Sequence, residues 1–309
     1  MRLSICLALP TLVAACGAAA TGLAAPRLFA PGLVSGPGDE GAAAPTPDGT
    51  SVYFMRGNGD GWTLLEFHRD GARWSAPPPA PFPGRWRDLG PAMAPDGSHL
   101  LFVSNRPTHP CGALLGLIRG GQRRTGMGMN LWRVDRKGAG RGRPVRLPDP
   151  VDRCSTTPAP SIAGDGSVYF IGCDGNDLRL MHAAYRHGRY LPAHPVTPGD
   201  ADALVRDPAI APDRSFIVVS VNHGPGTPYR LAIAFHTPAG WTAPQDLGDG
   251  VNRGTHSRGA QLTAGGRTLY FHSDRPAPAL AAGDNLWQLS LACRRDAHAG
   301  SHALRHCRE

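Results

Sequence analysis

The chain has 309 residues, 41% of them hydrophobic and 18% charged, a balance that suits a packed body and excludes a wholly disordered chain. Its formal net charge of +8 is carried by arginine, since Lys137 is the single lysine. The arginines are scattered through turn-rich sequence with no aromatic-interleaved basic helix, which argues against nucleic acid as a partner.

The first element in chain order is an address label. Met1-Arg2 precedes a short apolar stretch, Leu3 to Ala15, with the charged start and apolar middle of a secretory signal and too few residues to span a bilayer as a helix. It ends Val13-Ala14-Ala15-Cys16, similar to the lipobox of bacterial lipoproteins, in which the cysteine is lipidated after cleavage. Ordinary cleavage within Gly17 to Ala25 is the other reading, and both imply export, to the periplasm or to the outer membrane on a lipid anchor. Residues 1–26 are therefore read as signal and linker, and membrane contact is expected only through a lipid on Cys16.

A hairpin pattern then recurs: small residues, a Pro-Asp-Gly-type turn and a β-rich run. The copies are Ala43 to Phe54, Pro91 to Phe102, Pro160 to Phe170, Pro208 to Val219 and Ala260 to Phe271. Proline presets φ, the turn aspartates Asp48, Asp96, Asp165 and Asp213 cap their own turns, and glycine accepts positive φ. The fourth copy has Arg214 in place of the turn glycine, and the fifth has Gly265 in place of aspartate. The turns recur about every fifty residues, a blade-sized period for a propeller. One interval is lengthened by a Gly- and Arg-rich insertion, Pro107 to Met129, read as a loop.

Third strands follow at Asn130–Val134, Asp177–Leu180, Tyr229–Ile233 and Asn285–Leu289, and fourth strands begin at Trp74-Ser75-Ala76-Pro77 and Trp241-Thr242-Ala243-Pro244. The last copy lacks a fourth strand. Arg27 to Val34 matches that pattern and is expected to pair beside the strand carrying Trp287, sealing the ring and removing an exposed edge. The expected architecture is all-β: a five-bladed propeller of four-stranded antiparallel blades over residues 27–291, closed by an N-terminal strand, with a C-terminal tail at 292–309.

The small-x-Pro-Asp-Gly-x-x-aromatic hairpin followed by an Asn/Asp-Leu-Trp strand resembles the WD40-like repeat of TolB-type periplasmic propellers and many exported bacterial lipoproteins. The resemblance implies an exported propeller used for protein interaction or ligand capture. In TolB the propeller follows an N-terminal α/β domain, for which there is no room before Phe29, so TolB's specific partners are not carried over.

Propeller ligands usually sit at the channel mouth, where the innermost strands begin. The candidates there are Glu40, Asp88, Thr157, Asp207 and Arg258. Grouped carboxylates could hold a cation, hydrogen-bond a sugar or hydrolyse a glycan; the bland reading is that they satisfy neighbouring backbone. The turn aspartates are read as structural. With Cys6 and Cys16 set aside, five of the seven cysteines remain. Cys154 with Cys173, flanking one repeat, and Cys293 with Cys307, bracketing the tail, are candidate disulfides, and Cys111 is left over. His298, His302 and His306 share a helical spacing, but the favoured reading of the tail is a solvated segment without a metal. No Gly-x-Ser-x-Gly elbow occurs. The expectation is a monomeric, non-catalytic binding propeller without cofactor, whose partner is a protein or an envelope polymer; the alternative is a five-bladed glycan-binding protein or glycoside hydrolase.

Overall fold

The computed structural model describes residues 24–291, apart from 37, 58–61, 72, 76–77, 81–85, 110, 120–121, 139, 152–153, 155, 175–176, 200–203, 225 and 278–282. It is an all-β ring of five antiparallel blades, and the described residues include no helix. Cys16, Cys293, Cys307 and the three tail histidines lie outside the described residues.

Each blade follows from its turn. The innermost and second strands of blade 1, Glu40–Pro45 and Ser51–Gly57, meet at a turn closed by Gly49 N donating to Thr46 O at 2.9 Å. The same bond recurs at Gly97, Gly166, Arg214 and Gly266. Asp48, Asp96, Asp165 and Asp213 each accept, at 2.9–3.0 Å, the N–H two residues on. That closes an Asx turn, which glycine in the fifth copy cannot make. The turn glycines have φ between 63° and 82°, and Arg214 adopts 60°. A left-handed residue other than glycine costs about 1–2 kcal/mol, while the Arg214–Asp165 ion pair (3.2 Å) between half-exposed side chains returns little. Arg214→Gly is therefore expected to raise stability by about 0.5–1 kcal/mol, read as a Tm increase of roughly 2 °C; a fall would mean the ion pair outweighs the backbone.

The second strands explain the ring. Their residues alternate sides, so each blade packs on two neighbours. Val52 and Phe54 join Tyr270 and Leu286 of blade 5, whereas Tyr53 joins Leu100 and Phe102 of blade 2. Leu101 and Val103 then meet Val168 and Phe170, Tyr169 and Ile171 meet Ile217 and Val219, and Phe216 and Val218 meet Leu269 and Phe271. The seam between blades 5 and 1 is thus packed like the other four.

Closure occurs where expected. Arg27 pairs with Gln288 and Leu28 with Trp287, completing blade 5 from the N-terminal side. The strand is shorter than the predicted stretch: after Phe29 N bonds Leu286 O, the chain turns at Ala30 (φ 40°), Pro31 and Gly32 (φ 79°). Proline has no N–H to continue the ladder. Fourth strands elsewhere are also short, and in two blades they are broken in two: Gly140–Arg141 and Val145–Arg146 both pair with Asn130–Lys137, and Gly240–Trp241 and Gln245–Asp246 both pair with Arg230–Thr237. Pro144 and Pro244 interrupt them for the same reason.

The insertion at 107–129 is not simply a loop. Gly116–Arg119 pairs with Gln122–Thr125 in antiparallel register. Cys154 and Cys173 are joined, with an S–S distance of 2.12 Å, and Cys111 is exposed and free.

Candidate functional site at the channel mouth

Counting back six residues from each turn aspartate, or from Gly265, reaches Ala42, Gly90, Ala159, Asp207 and Gly259. All five have positive φ, at 28°, 54°, 56°, 47° and 67°. In blades 1, 2, 4 and 5 the pairing register slips here, a bulge that bends the innermost strand just inside its start. The sequence-predicted residues flank this bend but do not hold equivalent places: Glu40, Asp88 and Thr157 lie two residues before the left-handed position, Arg258 one before it, and Asp207 occupies it.

Glu40 is only 1% exposed; it accepts from Gly36 N and Arg56 Nε, both at 3.3 Å. Burial outweighs these bonds and pushes its carboxyl up to about 7. Asp88 is buried against Arg106 (2.5 Å), with burial again raising its pKa, and its Oδ1 has no hydrogen bond. Thr157 is fully buried, and its Oγ1 lacks a partner. Asp207 accepts from Ser220 Oγ (3.1 Å) and from Gly259 N (3.2 Å), tying blade 4 to blade 5. Arg258 pairs with Asp284 at 3.5 Å, while its buried Nε is unbonded. Among the described residues, no hydrogen bond or ion pair joins Glu40, Asp88 and Asp207 to one another. No group of three or more His, Cys, Asp or Glu side chains among the described residues is arranged to hold a metal ion.

A denser polar cluster, not anticipated from the sequence, occupies the seam between blades 5 and 1. Asp284 binds both His256 Nε2 (2.5 Å) and Arg258, and its backbone N donates to Asp39 Oδ1 while its carbonyl accepts from Glu40 N. His272 fills space left by glycines: a Cβ at position 259 would lie 2.3 Å from its Nδ1, and one at position 41 would lie 3.6 Å away. That Nδ1 has no hydrogen bond, and burial, followed by Arg258 and His256, holds the imidazole down to about 3. Of this cluster's side chains only Arg258 is among the sequence-predicted residues; Asp284 stands just before the third strand read at Asn285–Leu289 and is not one of them.

These features define a β-propeller whose mouth is lined by internally paired charges. No protein-family model matches the chain, and no curated protein matches it. Some solved structures are similar over most of the chain. TolB from Acinetobacter baumannii is similar with a TM-score of 0.46 and 12% identity, over 82% of this chain and 54% of that one, so the chain spans about half that protein's length. The GH43B protein of a Bacteroides ovatus xyloglucan locus gives 0.48 and 13%, over 85% of this chain and 54% of that one. A Dyadobacter fermentans protein of unknown function gives 0.49 and 12%, over 87% and 98%.

Proposed function

We propose that this chain is an exported, monomeric propeller of the cell envelope that binds a protein or an envelope polymer without transforming it, anchored by a lipid on Cys16 if the lipobox is used. The observation that carries this reading is that each charged candidate at the mouth is occupied within the ring: Glu40 by Arg56, Asp88 by Arg106, Arg258 by Asp284, and Asp207 by the hydrogen bonds of Ser220 and Gly259. Paired charges rigidify a binding face, whereas hydrolysis needs a carboxylate pair open to substrate. The WD40-like turn pattern and the charged, apolar start of the chain support family and address respectively.

One observation favours the glycoside hydrolase alternative. A buried carboxyl raised to about 7, as at Glu40, has the protonation expected of a general acid. The test is a panel of polysaccharides and aryl glycosides, assayed for released reducing ends beside affinity electrophoresis in the same polymers. Retardation without release is the expected result. Release that disappears in Glu40→Gln or Asp88→Asn would replace binding by catalysis.

A further inference from the structure

Blade 2 carries a concavity bordered by its insertion and by Arg106, the partner of Asp88. It encloses about 520 Å³ and is lined by Trp86, Arg106, Thr108, His109, Trp132 and Pro144, among others. That volume is in the range of small-molecule sites. Its chemistry is one-sided. Two indoles and proline supply flat apolar wall, and the polar side chains of the described lining can donate; none is a carboxylate or a carboxamide. A neutral sugar, whose hydroxyls need acceptors as well as donors, is poorly matched to such a wall.

The guanidinium is held before any ligand arrives. Arg106 Nη2 binds Asp88 at 2.5 Å and Nε donates to Ser104 Oγ at 3.0 Å. The group lies 5.1 Å from the Phe102 ring centre and 5.4 Å from that of Trp132. Arg106 is 8% exposed, and its side-chain bonds run from Nε and Nη2. Trp132, 6% exposed, has an indole N–H with no partner. The Trp132 indole N–H is a buried donor without a partner, and beside it the guanidinium keeps one nitrogen beyond those bound to Asp88 and Ser104; an acceptor group would use both, and a carboxylate is the strongest partner for a guanidinium. Residues 107–129 add Arg119, Arg123 and Arg124 with no acidic residue, which favours approach of an anion.

We infer that the blade 2 cleft binds a carboxylate carried on an aromatic ring: the ring stacks against Trp86 and the carboxylate is met by Arg106 with Thr108 and His109. This goes beyond the reading of the mouth, to which it is linked by the Arg106–Asp88 pair, and it names a ligand class that the polysaccharide panel does not test. The same chemistry could come from a free aryl acid or from a polypeptide ending in an aromatic residue.

Titration calorimetry on the full chain separates these sources. The probes are phenylacetate, phenylacetamide, glucuronate, and the tripeptide Ala-Ala-Phe with a free or an amidated C-terminus. Phenylacetate is expected to bind at least about tenfold more tightly than phenylacetamide, because the neutral analogue leaves charged donors unmatched. A free tripeptide that binds more tightly than phenylacetate, with its amide losing the gain, identifies a chain terminus as the source; a tripeptide no better identifies a small acid. Arg106→Ala would strand Asp88 in the interior and destabilise the fold, so the variants are Trp86→Ala and His109→Ala. Each should weaken phenylacetate about tenfold at unchanged Tm. Equal affinity for acid and amide, preference for glucuronate, no saturation at about 10 mM, or variants that bind as well as the parent would overturn the inference.

Discussion

Phe29→Ala is expected to lower the melting temperature by roughly 10 °C. Phe29 is 6% exposed and lies edge-on to Tyr270 (5.1 Å between centres) and Trp74 (6.2 Å), so it touches the last blade and the first at once. Truncating a buried phenylalanine costs about 3–5 kcal/mol through lost transfer energy and the cavity left behind. At this chain length each kcal/mol moves Tm by about 2–4 °C. Nearby, Ser35 Oγ bonds Leu286 O at 3.0 Å and receives Leu286 N at 3.2 Å, so Ser35→Ala leaves two buried backbone groups unmet and should cost a further 1–3 kcal/mol or so. Thermal melts monitored by circular dichroism measure both. If Phe29→Ala melted within about 2 °C of the parent, the N-terminal segment would not be holding the ring shut.

Acid should unfold the protein, and two buried imidazoles and a half-buried one set the pH. Burial first, then neighbouring cations or histidines, holds His99 and His182 down to about 4 and His272 to about 3. An unfolded chain protonates each near 6.5. Between about 6.5 and 3–4 the unfolded state therefore binds more protons, so the stability present above 6.5 is lost as pH falls through that window. At about 1.4 kcal/mol per pH unit His99 and His272 together amount to several kcal/mol, a large part of a domain's stability, and His182, partly screened by solvent, adds less. Glu40 acts in the opposite sense. Its carboxyl is raised from 4.5 to about 7, so the folded state holds the extra proton and stability grows as pH falls across that interval. The two effects oppose each other between about 7 and 4.5, and below that the histidines and the hydrogen-bonded turn carboxylates act together. Urea midpoints from pH 8 to 4 should stay nearly level at first and then drop steeply, with His272→Gln softening the drop. A level profile down to pH 4 would show that these histidines are not buried neutral.

The architecture was legible because its cause is local. Pro-Asp-Gly chemistry specifies a turn wherever it occurs, and even Arg214, which breaks the pattern, is drawn into the same left-handed geometry by its neighbours. The extent of the fourth strands was less legible, since prolines that look like strand ends also divide the strands internally. Of the residues proposed for the mouth, Glu40, Asp88, Asp207 and Arg258 lie on innermost strands, Thr157 precedes one, and the five share no common register. The left-handed bend moves side chains by one position, and only Gly90 and Gly259 advertise it, while Ala42, Ala159 and Asp207 adopt it silently. The His256–Asp284–Arg258 cluster joins residues up to 28 positions apart within blade 5, and the cleft joins Trp86 to Trp132; neither spacing carries a periodic signal.

That recurring bend also bears on how such a ring is assembled over evolutionary time. Because every blade carries its own curvature at the same step of its own hairpin, a copied or exchanged blade arrives already shaped for its neighbours. The lone unshared component is the seal contributed from the far end of the chain, so module number can drift by duplication as long as the first few residues still find whichever blade has become the last.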